Sequence, residues 1–290
     1  MVVVHEGADP PGAVPRTGAA AFARAGLARA RFPILEFDPD RTALIEPSVH
    51  LCAPSREEVE LPRRAVACFF GDVVARIARE RGARQAAELY SEHGVHPIFE
   101  LDHLGERVAF FQPGVGAPLA SMFLEEVVDY GCRTIVACGG AGALDVDLGL
   151  GHPVVVSAAV RDEGTSYHYL APSRIIEVAP ASVLAIQTVL VRAGVPFTTG
   201  TTWTTDAIYR ETRDKVSLRR SEGCITVEME AAALLAVARF RGVMFGQLLY
   251  AGDSLAGEAW DHRDWVHAHE ARESLFWLAM DAAVEMPFAS

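Results

Sequence analysis

The sequence is short of the features that would mark several whole classes of protein. It has no C-x-x-C pair: its five cysteines (Cys52, Cys68, Cys132, Cys138, Cys224) are odd in number and scattered. That pattern excludes a disulfide framework and a thiolate zinc site, and reads as reduced thiols in a cytoplasm. It has no excess of basic charge. The net charge of -12 argues against a nucleic-acid polymer as partner, since that needs a basic face to displace condensed counterions. A small anionic ligand is still compatible, because a few arginines can act locally against a negative average. No apolar run reaches membrane-spanning length. The opening residues carry His5, Glu6 and Asp9 where a secretory leader would need an apolar core, so a soluble, cytoplasmic protein is expected.

What is present suits one large domain. The chain has 290 residues, half of them hydrophobic, enough for a sizeable core. Residues 1–20, rich in Gly, Ala and Pro, are expected to be a disordered tail. Residues 21–63 carry several prolines and no sustained period, and read as an N-terminal arm. Residues 64–290 form the domain. There strands and helices alternate: Ala65–Phe70, a helix through Val74, Ile77 and Ala78, a strand at Val108–Gln112, a helix at Pro118–Tyr130 and a strand at Thr134–Cys138. A glycine-rich turn, Gly139–Gly142, follows. Pro153–Val160 lacks alternation, as a strand covered on both faces does. A helix at 180–193, strands at 195–201, before Val227 and at 243–251, and helices at 230–240 and 265–284 complete the pattern. It predicts an α/β fold, a single domain with a central mixed β-sheet flanked by helices on both faces. In such sheets ligands bind beyond the carboxyl ends of the strands.

Four segments at strand ends offer chemistry. In Val227-Glu228-Met229-Glu230, an extended backbone would put Glu228 and Glu230 on one face. Buried carboxylates need partners. A vicinal diol is one such partner; the other reading makes Glu230 a cap for the apolar helix that follows. Asp253, after the apolar run Leu248–Ala251 and beside Gly252, can face a pocket and hold a proton for a leaving group, or simply close an Asx turn. Gly139 and Gly140 offer bare amides to an anion or a sugar, or are only a turn. The segment Thr204–Arg213 can hold a heterocycle, or form a solvated helix face.

Taken in order, these stretches resemble the nucleoside phosphorylase superfamily, which includes uridine phosphorylase, hexameric purine nucleoside phosphorylase and methylthioadenosine nucleosidase. The resemblance covers roughly residues 64–285. VEMEAAALLAVA looks like the family's E-M-E-A-A signature, supported by GVGAPLASMFLEEVVDYG, TIVACGGAGAL, TTDAIYRET and YAGDSL. It implies cleavage of the bond between a sugar and a base, by phosphate or by water, without a cofactor or metal. It also implies roles for residues. Glu230 would take the two ribose hydroxyls with Met229 against the sugar, and Glu228 would lie near sugar or base. Asp253 would protonate or hydrogen-bond the leaving base. Gly139, Gly140, Arg213 and Tyr169 would contact substrate, with Arg213 out of register with the arginine that pyrimidine-using members place on uracil. A homodimer or homohexamer is implied as well.

The departures concern phosphate. The family's phosphorylases carry an arginine two residues before the glycine turn, where this chain has Ala137. They also carry a G-D-P-x-R loop, where this chain has Gly71-Asp72-Val73-Val74-Ala75, with Arg76 one step late. Gly71 and Arg76 are the nearest phosphate-binding candidates, with Arg63 or Arg64 as substitutes. The glutamate with which hydrolytic members orient water is absent too. Two rival readings follow: a nucleoside-binding protein without catalysis, and a serine esterase built on Gly252-Asp253-Ser254-Leu255 with Asp264-Trp265-Val266-His267. The esterase reading places its two motifs only ten residues apart, against that family's order. His262, His267 and His269 lack an acid or thiol in register for a metal.

Overall fold

The computed structural model describes residues 29–49 and 59–289. The expected tail at 1–20 lies outside them. The arm is described in part, as loop with two short 3-10 turns, Pro33–Leu35 and Pro47–Val49. Arg41 ties it down by donating to the Phe240 carbonyl and lying 4.6 Å from that residue's ring centroid.

Among the described residues ten strands form one mixed sheet. They are β1 (Arg64–Cys68), β2 (Arg84–Ser91), β3 (Gly94–His103), β4 (Glu106–Phe111), β5 (Thr134–Ala143), β6 (Pro153–Asp162), β7 (Ile175–Glu177), β8 (Thr198–Thr205), β9 (Cys224–Glu228) and β10 (Met244–Ser254). The order runs β10-β6-β8-β9-β5-β1-β4-β3-β2, with β7 beside β6, and β10 also pairs with β5. Strands β5, β10, β6, β8 and β9 therefore close on themselves, while β1, β4, β3 and β2 extend as an open wing. The helices are α1 (Gly71–Glu80), α2 (Ala117–Asp129), α3 (Pro180–Arg192), α4 (Arg213–Ser221), α5 (Ala231–Arg241) and α6 (His269–Glu285). None is long and apolar enough to cross a membrane.

The central strands are apolar throughout because both faces are covered. Ala67, Ile135 and Ala137 join the core under α2 and α5, and Val66, Val136 and Cys138 join the one under α1, α3 and α6. The alternation within β1 and β5 thus divides one sheet between two cores. In α5 every residue from Ala231 to Ala238 is buried, and Gly242, at φ 71°, ends the helix in the left-handed conformation that favours glycine.

Two expectations change. Gly139–Gly142 is not a turn: β5 runs through it to Ala143, pairing Gly139 and Gly140 with Leu249 and Tyr250 of β10, and Gly142 with Val227 of β9. The glycines answer crowding from distant residues. A Cβ on Gly140 would stand 3.2 Å from the Tyr250 ring, and one on Gly142 2.7 Å from Leu255. The β2–β3 hairpin and the helix α4 also go beyond the expected elements. Helix α4 is largely polar, and the hairpin at the sheet edge mixes polar residues with the buried Leu89 and Ile98, so neither shows a clear period.

Candidate active site

β1, β5 and β10 run parallel, so their carboxyl ends lie together, and the chain segments leaving them enclose a cleft of about 350 Å³. Gly139 to Gly142 form part of its wall. Glu230 and Asp253 both line it, as do Glu228 and Met229. The cleft is of the size of a small-molecule site.

The two glutamates have different partners. Strand β9 ends at Glu228, and the chain bends so that Glu230, at φ -139° and ψ -27°, precedes the first residue of α5. Its own side chain makes no cap bond. The cap is Glu228: its Oε2 accepts from the amides of Glu230 at 2.7 Å and Ala231 at 2.6 Å, and its Oε1 accepts from the Thr204 hydroxyl at 2.6 Å. The Thr204 oxygen in turn accepts from Ala232 N at 3.0 Å. Burial raises the Glu228 carboxyl above the ordinary range, against these bonds.

Glu230 is 6 % exposed, and its Oε1 accepts a bond of 2.6 Å from the amide of Gly116. Gly116 has φ 92°, which places that amide just ahead of α2 in a backbone conformation suited to glycine. Burial, and then the charge of Glu228, push the Glu230 carboxyl upward. Asp253 accepts from Trp260 Nε1 at 2.6 Å through its Oδ2.

The structure also gathers Glu211, from the segment Thr204–Arg213, and two residues that the sequence did not single out. Glu211, in the segment before α4, lines the cleft; burial and the neighbouring charge of Asp253 push its carboxyl up to about 7. Gln247 of β10 and Arg272 of α6 line it as well. Arg272 is engaged: Nη2 donates to Asp72 at 2.6 Å, and the guanidinium lies 4.8 Å from the Phe70 ring centroid. A signal for Gln247 was available, a lone amide inside the apolar run of β10. Arg272 gave none, since its partner is 200 residues away.

Other expected residues lie elsewhere. Arg213 is the exposed first residue of α4, where Thr212 caps the helix, and it lines a neighbouring surface hollow with Arg220 and Trp260. Tyr169 packs edge-on against Phe240, 5.5 Å between centroids, in a hollow beneath the arm. Gly71 opens α1 next to the cleft residue Phe70, but does not line the cleft itself. Arg76 pairs with Glu273 at 2.9 Å and Glu80 at 3.5 Å. Arg64 donates to the carbonyls of Ala283 and Met286, and Arg63 lies against Phe288. The esterase reading finds no dyad: Ser254 Oγ accepts from Ala256 N, while His267 is exposed and pairs with Asp264.

Known proteins bear on this arrangement. The profile of the phosphorylase superfamily matches residues 63–279. A guanosine phosphorylase of Halorubrum lacusprofundi is 29 % identical over 166 residues, which are 56 % of this chain and 67 % of that protein. A DeoD-type purine nucleoside phosphorylase of an Exiguobacterium species is 27 % identical over 213 residues, covering 69 % of this chain and 84 % of the relative. Among solved structures, an AMP nucleosidase of Bacteroides thetaiotaomicron shares the fold at a TM-score of 0.64 and 21 % identity, covering 78 % of this chain and 89 % of its own. With its matched region running from β1 into α6, the chain belongs to the phosphorylase superfamily.

Proposed function

We propose that this protein is an enzyme that cleaves the N-glycosidic bond of a nucleoside, and that the cleft lined by Glu230 and Asp253 is where it does so. The observation that carries the reading is the convergence of those two carboxylates, from different strand ends, on one cleft of about 350 Å³. Cleavage passes through an oxocarbenium-like sugar. Glu230 takes the ribose hydroxyls, fixing the ring and offsetting its developing positive charge, with Met229 packed against the sugar. The neighbouring carboxyl groups of Asp253 and Glu211 share the proton that the departing base nitrogen requires. Gly139 and Gly140 let the substrate lie close against β5. The exposed apolar side chains of the arm, Phe32, Leu44 and Ile45 among them, support a homo-oligomer in which a neighbouring subunit covers them.

A panel of purine and pyrimidine nucleosides, incubated with and without phosphate and read by mass spectrometry, tests the reading. Free base should appear from at least one member of the panel. Its absence from every reaction would refute the assignment.

A further inference from the structure

The attacking group is the open part of that reading, and the cleft walls bear on it. Gln247 stands inside β10, 1 % exposed, and lines the cleft. Neither its Oε1 nor its Nε2 has a hydrogen-bond partner among the described residues. Each such unmet group lowers stability when buried. An unmet amide at the wall of a cleft is free to bond to what the cleft receives. In register on β5 the residue opposite is Ala137, whose methyl offers the amide no bond.

The charges lining the cleft point the same way. Four are carboxyl groups: Glu211, Glu228, Glu230 and Asp253. Among the described residues the cleft has one guanidinium, Arg272, and its charge is matched by Asp72. Asp72 also occupies the first turn of α1, where an anion would otherwise gain from the helix dipole. Among the described residues the cleft thus offers a phosphate dianion no guanidinium that is not already paired, whereas a neutral molecule needs none.

We infer that the nucleophile is water, that the protein is a nucleoside hydrolase, and that Gln247 is the residue that positions the attacking water. This rests on the function proposed above. The bond between the anomeric carbon and the base nitrogen breaks, and its electron pair leaves with the base, which takes the proton shared by Asp253 and Glu211. The water oxygen forms the new bond to the anomeric carbon, held by the Gln247 amide. The proton it sheds goes to Glu230, and the carboxyl groups return to their starting states through solvent as products leave.

The experiment compares wild type with Gln247→Met, a near-isosteric change that removes both amide groups. Wild type should release free base and free sugar at the same rate with and without saturating phosphate, and no sugar phosphate. Gln247→Met should lose about 10²-fold in kcat, the effect of removing one positioned polar group, with KM unchanged. Its Tm should equal or exceed that of wild type, because two unmet polar groups are gone. Sugar phosphate from wild type overturns this inference alone. So does a Gln247→Met enzyme with full turnover, or one whose activity falls only in step with a falling Tm. If no nucleoside is cleaved under either condition, the functional reading fails and takes this one with it.

Discussion

Thr204→Val tests whether Glu228 serves the fold rather than the substrate. Thr204 is fully buried on β8, and its oxygen sits between two groups: it donates to Glu228 Oε1 and accepts from Ala232 N. Valine has the same shape and neither capacity. The substitution strands a buried amide, at about 1–3 kcal/mol, and removes the hydrogen bond to the Glu228 carboxyl, at about 0.5–3 kcal/mol. Together the loss should be roughly 2–5 kcal/mol. For a domain of this size each kilocalorie moves Tm by about 2 °C, so a fall of roughly 4–10 °C is expected by calorimetry. The control lies two residues earlier. Thr202 is equally buried, but its hydroxyl has no partner among the described residues, so Thr202→Val should leave Tm unchanged or raise it. If the two variants melt alike, the capping network is not what fixes the start of α5.

Other perturbations separate the remaining groups. Asp253→Asn and Glu230→Gln should each lose about 10²–10⁴ in turnover while remaining folded by circular dichroism; near-normal activity would remove that residue from the mechanism. Trp260→Phe deletes the indole donor to Asp253, on a side chain 60 % exposed, and should cost about fivefold in kcat/KM with no change in Tm. For Glu211 the folded state holds its proton more tightly than the unfolded chain does. The stability this carries is present below the ordinary carboxylate range and is lost as pH rises to about 7. Glu211→Gln should therefore raise Tm at pH 8 relative to wild type more than at pH 5, as read by melting curves across pH. An equal shift at both values would place Glu211 in solvent.

Sequence reasoning reached the alternation of strands and helices, because β1 and β5 are short apolar runs with cores on both sides. It also pointed to Glu230 and Asp253 at strand ends, and both line the cleft there. It missed where spacing is decided by distant atoms. Gly139–Gly142 reads locally as a turn, yet those residues are glycine because Phe69, Tyr250 and Leu255 occupy the space where side chains would be. Glu228 and Glu230 look equivalent on an extended strand. The bend after β9 breaks that equivalence, giving the cap to Glu228 and the bond from Gly116 to Glu230. Arg213 and Tyr169 had residue types suited to a ligand, but the packing of α4 and of Phe240 takes them to other hollows.

The cations nearest the start of α1 illustrate how a local pattern can mislead about charge. Arg76 follows the Gly71-Asp72 segment closely enough to look available to an anion. In the fold α1 and α6 exchange charges in both directions: Arg76 of α1 meets Glu273 of α6 at 2.9 Å, and Arg272 of α6 meets Asp72 of α1 at 2.6 Å. Each pair is partly exposed and contributes little stability alone. Their opposed sense nevertheless holds the two helices in one relation, and it keeps Arg272 over Phe70 at the cleft wall. Both guanidiniums are thus matched by carboxylates before any substrate arrives. Besides Arg272, whose buried Nε has no partner among the described residues, the side chains left to act on a ligand at this cleft are acids and one uncharged amide, a set suited to hydroxyls, ring nitrogens and water.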